Sequence, residues 1–409
     1  MLRDKRIVLG VCGGIAAYKA ADLVSKLQQA GALVDVILTA HAREFVQPLT
    51  FSTLSHRQVY DDLWEPTGRA AAQHIELGQR ADLLLIAPAT ANTVARLANG
   101  IADDMLTAVA LACTAPLVIA PAMEHTMYLH PAVQANLQTL AVRGATIIPP
   151  ESGHLASGEV GMGRFPDTPT LLAHIRKTLG RAGELAGRRV VVTAGGTQEP
   201  IDPVRYIGNR SSGMMGVALA EEARDRGADV TLIAGMTSVE LPHVMEIRHV
   251  STAIQMRDAV RETVAHADVL VMAAAVADYR VEEPASQKIK KGSAAEKPDG
   301  SLTLRLVRNP DILGELAHED RPGPLVRVGF AAETTDVAAN ARAKLTAKRL
   351  DLLVANDVSK AGSGFGTKTN EVTIYHAGGM VEQLTLLPKT EVAAAIWDRI
   401  IPLLQEPSR

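Results

Sequence analysis

Thr193 to Gly216 reads TAGGTQEPIDPVRYIGNRSSGMMG, a long polar stretch between the apolar run Val190, Val191, Val192 and a helical pattern that begins at Val217. Gly195 and Gly196 leave room for a backbone to approach a phosphate. Asn209, Ser211 and Ser212 offer side-chain hydrogen bonds, and the free N–H groups of a helix start favour an anion. A second stretch, Pro88 to Thr93 (PATANT), collects small hydroxyl and amide residues that can surround a phosphate and a planar ring without steric cost. Further groups able to do chemistry are His74 in QHIELG, Met123 and Glu124 in PAMEHTMY, and the lysine run KIKKG that starts at Lys288. Lys344 and Lys348 are four residues apart and so share one helical face, as two phosphate contacts need. Read from charge alone, a solvated surface is the favoured reading of the KIKKG run, and surface lysines at the spacing of Lys344 and Lys348 are common. Gly362 to Lys368 (GSGFGTK) looks like a phosphate loop but lacks the Gly-Lys-Ser/Thr ending and precedes a strand pattern, so it is expected to be an ordinary loop.

The elements that must position these residues follow from the hydrophobic pattern. Residues 6–12, 33–38, 81–87, 116–120 and 145–148 are short apolar runs, and RVVVTAGG, ADVTLIAG, DVLVMAAAV, VRVGFAAE and LDLLVAND repeat the theme later in the chain. Continuous apolar strands alternating with helical patterns indicate parallel sheets covered on both faces. The expectation is an α/β protein with two Rossmann-like or flavodoxin-like parallel-sheet domains, 1–186 and 187–409. Residues 281–308, ending in the alternating LTLRLV, read as a β-hairpin arm on the second domain. A helix is expected from Ile15 to about Ala30, another from near His41, and a third over Leu171 to Leu179. The chemistry-bearing loops then fall at the carboxyl ends of strands, where such sheets bind ligands.

Composition excludes several classes. At 409 residues, the length suits two or three domains of about 150 residues each. Aromatic residues are only 3% against 47% hydrophobic overall, so aliphatic side chains and alanine must fill the cores. A net charge of −3 argues against a dedicated binder of nucleic acid or membrane surface. Cys12 and Cys113 have neither metal nor disulfide spacing, and a small buried hydrophobe is the expected role of both. The opening MLRDKRIVLG runs directly into a strand, and no apolar run reaches the ~18 residues of a membrane span. A cytoplasmic protein is expected.

GVCGGIAAYKA, QHIELG, PATANT, PAMEHTMY and ESGHLASGEVGMGR, in that order, resemble the homo-oligomeric flavin-containing cysteine decarboxylases. The second half, above all 193–216, resembles phosphopantothenate–cysteine ligase. Over nearly its whole length the chain is therefore similar to the bifunctional coenzyme A biosynthesis family, in which the two activities are fused. The resemblance implies FMN held by Gly13, Gly14, Ile15, Thr39, Pro88, Thr90, Asn92, Thr93 and Met123 at a trimer interface, with His74 as the catalytic histidine. It implies CTP-dependent joining of 4′-phosphopantothenate to cysteine through an acyl-cytidylate, with Mg2+ held mainly by phosphate oxygens and no dedicated protein metal site. Asn209 would hold the acyl-cytidylate and Lys288 would help form it. Ala273, Ala274, Asp278, Asn309, Pro310, Asp311, Ile312, Phe330, Lys344 and Lys348 take the remaining nucleotide positions. The partners implied are these small molecules and other copies of the chain, as a dodecamer combining three-fold and two-fold contacts.

Two positions depart from the family pattern. Glu124 replaces an asparagine whose amide contacts the substrate carboxylate, and Ser157 replaces the cysteine that donates a proton. A second carboxylate repels the substrate unless it is protonated or turned away, and a hydroxyl is a far weaker acid than a thiol of pKa ~8.5. The expectation is that FMN binding persists while decarboxylation is weak, altered or absent. The alternative is a monofunctional ligase carrying a flavin-binding oligomerisation scaffold.

Overall fold

The computed structural model describes residues 2–64, 72–290, 301–320, 323–333, 337–357, 364 and 366–405. The chain divides into two compact units, Met1–Gly180 and Arg181–Arg409.

The first unit is built on a six-stranded sheet in the order Val59–Tyr60, Leu33–Leu38, Arg6–Val11, Leu83–Ala89, Leu117–Pro121 and Thr146–Ile147, every pairing parallel. Leu83–Ala89 is buried at every position, as a strand covered on both faces requires. The helix Lys19–Gln29 turns Ala20, Leu23, Val24 and Leu27 inward at helical spacing. The expected single helix from Ile15 opens instead as a tight 3₁₀ turn, Ile15–Tyr18. Gly14 is extended and has no side chain to cap the end, so the turn closes through Ala17 N–H to Gly14 O at 2.9 Å. The element near His41 is likewise a 3₁₀ turn, Ala40–Glu44, followed by a separate α-helix Pro48–Ser55 with proline at its first position. Outside the sheet, Glu151–His154 and Val160–Arg164 form an antiparallel hairpin.

The second unit carries an eight-stranded sheet. Its order is Glu246–His249, Asp229–Ala234, Arg189–Ala194, Val269–Met272, Val326–Glu333, Leu352–Asp357, Thr369–His376 and Val381–Pro388. The first six strands are parallel, but the last two are antiparallel. The turn between His376 and Val381 is too short for the crossover of a dozen or more residues that parallel pairing needs. Trp397, on the helix Lys389–Leu403, is fully buried, and its indole N–H donates to Leu219 O at 2.9 Å. The expected hairpin arm opens with Tyr279–Val281 pairing antiparallel with Leu306–Arg308, and Glu282 N–H carries the pairing on to Arg305 O at 3.0 Å, before Pro284, which has no N–H to donate. Residues 291–300 of the arm, and residues 362, 363 and 365 of the Gly362–Lys368 loop, lie outside the described residues.

Candidate functional site

In both sheets the chain reverses direction of strand addition beside the first strand of the unit, between Arg6–Val11 and Leu83–Ala89 and between Arg189–Ala194 and Val269–Met272. Loops that leave the carboxyl ends of such neighbours diverge and leave a crevice. The sequence motifs fall on these loops.

In the first unit, Gly13 is required by a close approach. A Cβ there would overlap the Cβ of His41 and its backbone, so the turn lies tight against the loop that starts at Thr39. Thr90 caps the helix Ala91–Asn99, accepting from Thr93 N at 3.4 Å. Thr93 is buried and its hydroxyl lies 3.2 Å from that of Thr90. It therefore shapes the PATANT loop from within, while Asn92 is exposed. Cys12 N–H donates to Pro88 O at 3.2 Å, tying the first turn to PATANT. Burial pushes the Cys12 thiol up to about 11, with the Thr93 hydroxyl opposing it, so this cysteine stays a protonated thiol at neutral pH and is no thiolate nucleophile. Gly14 faces open space, and Ile15 and Tyr18 are each 59% exposed. Helix-start N–H groups, an open glycine and apolar side chains beside them fit a phosphorylated, planar, largely apolar group such as FMN.

His74 is half-buried on the first turn of the helix Gln73–Arg80. Met123 N–H donates to Gly163 O at 3.1 Å, and Met162 N–H donates to His125 Nδ1 at 3.0 Å. The 151–164 hairpin is thus fastened to the loop that bears Glu124. Glu124 caps the helix His125–Leu129, its Oε2 accepting from Thr126 N at 2.6 Å and from the Thr126 hydroxyl at 2.7 Å. The Thr126 hydroxyl, and then its N–H, hold the Glu124 carboxyl below the usual glutamate range. It is ionised at neutral pH, and half of it faces its own helix. Ser157 is exposed in the hairpin turn, where its hydroxyl accepts from Glu159 N at 3.4 Å. Among the described residues no hydrogen bond joins Ser157 to His74 or Glu124.

In the second unit the loops enclose a cavity of about 630 Å³, a size that suits a nucleotide. Asn209, Ala273, Ala274 and Asp278 line it, as do Asn309, Pro310, Asp311 and Ile312, with Phe330, Lys344 and Lys348. Gly213, at φ +80°, is the left-handed N-cap of the helix Met214–Asp225 and has no side chain to cap it; Met214 N–H donates to the Ser212 hydroxyl at 3.4 Å, and the remaining first-turn N–H groups lie at the cavity end of the helix. Thr193 Oγ1 accepts from Ala274 N at 3.0 Å and Thr197 Oγ1 from Ala277 N at 2.9 Å. These two buried hydroxyls stitch the 195–213 loop to the 273–278 loop. Asn209 Nδ2 donates to Val276 O at 3.1 Å, and Asn309 Nδ2 to Ala277 O at 2.8 Å. Ile312 is buried and so offers backbone only. Lys348 pairs with Asp311 at 2.8 Å. Burial pushes the Asp311 carboxyl up, but the Lys348 bond, the Gly314 N–H and the nearby lysine charges outweigh it and leave it lowered.

Lys288 does not line this cavity. It is exposed, and its neighbour Ile289 is clamped at both backbone groups: Ile289 N–H donates to Asp202 Oδ2 at 3.1 Å, and Arg205 Nη2 donates to Ile289 O at 2.9 Å. Asp202 also accepts from Val204 N and Arg205 N, each at 2.8 Å, and from the Arg205 guanidinium. Foremost among these, Arg205 holds the Asp202 carboxyl far below the carboxylate range. Sequence reasoning missed Asp202 and Arg205, together with Asn356, Asn370 and Lys389 on the cavity wall. The PIDPVR segment carries a turn signal, but nothing local says what the aspartate holds. Among the described residues there is no cluster of three or more metal-ligating side chains, and no helix is long and apolar enough to cross a membrane.

A family model described as Flavoprotein matches residues 1–180, and one for the DNA/pantothenate metabolism flavoprotein C-terminal domain matches residues 185–403. The chain is 45% identical over 409 residues to the Coenzyme A biosynthesis bifunctional protein CoaBC of Bacillus subtilis (strain 168), covering 99% of each. It is also 45% identical over 413 residues to the protein of that name from Mycobacterium tuberculosis (strain ATCC 25618 / H37Rv), covering 98% of this chain and 97% of the relative. Among solved structures, the C-terminal domain of CoaBC is 36% identical, covering 55% of this chain and all of that one, with a TM-score of 0.46. Full-length similarity to bifunctional relatives does not favour a ligase with an inert flavin scaffold. On both domain matches and on identity along its whole length, the chain belongs to the family of bifunctional coenzyme A biosynthesis proteins.

Proposed function

We propose that the second unit joins 4′-phosphopantothenate to cysteine at the expense of CTP, and that the first unit decarboxylates the resulting phosphopantothenoylcysteine to 4′-phosphopantetheine. The observation that carries the reading is the cavity of the second unit, which gathers Asn209, Asp278, Asn309, Phe330, Lys344 and Lys348 from five separate segments of chain. In the first half-reaction the pantothenate carboxylate attacks the α-phosphorus of CTP and pyrophosphate leaves. In the second, the cysteine amine attacks the acyl carbon and CMP leaves. Lysines on two sides of a triphosphate neutralise charge that develops at phosphorus. Asn209, whose Nδ2 is held by Val276 O, is placed to orient the acyl-cytidylate, and Asp278 contacts the nucleotide. Lys288, exposed outside the cavity wall on the segment clamped by Asp202 and Arg205, is assigned to the α-phosphate by its family motif. Mg2+ is coordinated by phosphate oxygens, which suits its reluctance to dehydrate.

In the first unit, the Gly13–Ile15 turn, Thr39, the Pro88–Thr93 loop and Met123 hold FMN. When bound, FMN supplies the oxidation of the cysteine thiol that lets carbon dioxide leave. His74 acts as the base at the substrate, and the 151–164 hairpin brings Ser157 over it. Glu124, ionised and turned into its own helix start, leaves space beside the substrate carboxylate instead of a donor to it. Chains assemble as a homo-oligomer, a dodecamer of three-fold and two-fold contacts.

The test is a mass-resolved product assay with 4′-phosphopantothenate, cysteine, CTP and Mg2+, preceded by an absorbance spectrum for bound flavin. Appearance of 4′-phosphopantetheine supports both halves. Accumulation of phosphopantothenoylcysteine on a yellow protein supports the ligase alone. Absence of any CTP-dependent product refutes the reading of the second unit.

A further inference from the structure

Lys389 is the first residue of the 15-residue helix Lys389–Leu403, and it lines the wall of the second-unit cavity while only 5% exposed. Its ammonium donates to Gly364 O at 3.1 Å, and Asn370 Oδ1 accepts from Gly364 N at 3.3 Å. Among the described residues no carboxylate pairs with it. Glu391, the acidic residue of the same helical turn, is exposed and makes no ion pair with it. Lys348, by contrast, is already matched by Asp311. A buried ammonium is expensive unless an opposite charge accompanies it, and the amino end of a helix is the wrong end for a cation. Both penalties vanish when an anion enters the cavity. An ammonium has three donors, and Gly364 O takes one.

We infer that Lys389 is an anion-binding residue of this cavity, taking a phosphate group of the bound ligand. The inference rests on the proposed reading of the cavity as a site for phosphate-bearing substrates. The phosphate belongs either to the nucleoside triphosphate or to the phosphorylated acid. Burial holds the Lys389 pKa below the usual lysine value in the free protein, and an anion raises it again, so binding draws in a proton wherever the pH lies between the free and bound values.

The experiment is calorimetric titration of the full chain with CTP and, separately, with 4′-phosphopantothenate, in two buffers of different ionisation enthalpy. Lys389→Gln keeps a donor toward Gly364 but carries no charge, and Lys389→Met removes both. The expected result is that both variants bind one of the two ligands about ten- to a hundredfold more weakly and lose the accompanying proton uptake. The affected ligand names the source of the phosphate. Wild-type affinity of Lys389→Gln for both ligands overturns the inference and leaves Lys389 as a clamp on Gly364. Should the wild-type protein bind neither ligand, the function proposed for the cavity falls, and this inference with it.

Discussion

Gly216 is the third residue of the helix Met214–Asp225, and it packs against the strand Arg189–Ala194 that leads into the ligand loop. A Cβ added there would stand 2.6 Å from Ala194 Cβ, 2.6 Å from Thr193 O and 2.9 Å from Ala194 Cα. None of these is the end of a flexible side chain, so in Gly216→Ala the helix itself must retreat, by about 0.8 Å to recover ordinary contact. Overpacking of this kind costs about 1–3 kcal/mol, and alanine's better helix propensity offsets about 1 kcal/mol of it. At about 2–4 °C per kcal/mol for a domain of this size, the unit stays folded at assay temperature. The catalytic consequence is larger. The same helix start carries Ser211, Ser212 and the first-turn N–H groups, and a displacement near 1 Å at a positioned group costs up to about a hundredfold. CTP-dependent ligation should therefore fall about ten- to a hundredfold, while flavin absorbance, which reports the other unit, is unchanged. Steady-state ligation with a calorimetric scan on the same sample measures both. A ligation rate within twofold of wild type would refute the claim that this helix start seats the nucleotide.

Four further outcomes are expected. Asp202→Asn weakens the clamp on Ile289, so turnover should drop about tenfold with the CTP KM little changed; an unchanged turnover would mean that Lys288 is positioned otherwise. Because the Asp202 carboxyl is depressed in the folded protein, its contribution is present above the unfolded carboxylate pKa and is lost only as pH falls through the folded value. The clamp should accordingly leave no inflection in ligation between pH ~5 and ~8. Gly163→Ala would bring a Cβ onto Met123 O at φ +139°, costing about 1–3 kcal/mol and parting the hairpin from the Glu124 loop; undiminished flavin content and melting temperature would count against that fastening. Ser157→Cys with Glu124→Asn supplies a thiol acid and an amide, and decarboxylation should rise by about tenfold or more. No change on product analysis would show that Ser157 is not the proton donor's position.

The parallel strands were legible because burial on both faces forces continuous apolar runs, and such runs read the same in any tertiary context. So were the loops, since small residues and glycines after a strand mark the crevice of an α/β sheet. The chemical assignments of Asn209, Lys288 and His74 came from motif resemblance, which spacing alone does not supply. Local pattern failed where pairing partners decide the outcome. LTLRLV alternates as a strand should, but the alternation does not name its partner, which is Tyr279–Val281 for its end and Glu282 for Arg305. Thr93 reads as one more hydroxyl of its loop, and its burial beside the Thr90 hydroxyl is set by the fold. Asp202 reads as a turn aspartate and Lys389 as a surface lysine at a helix start. What distinguishes them is distant chain, Ile289 for one and the Gly364–Asn370 segment for the other. Apolar periodicity and turn chemistry are properties of neighbours in sequence, whereas the burial of a charge and the partner it meets depend on which segments the sheet brings together.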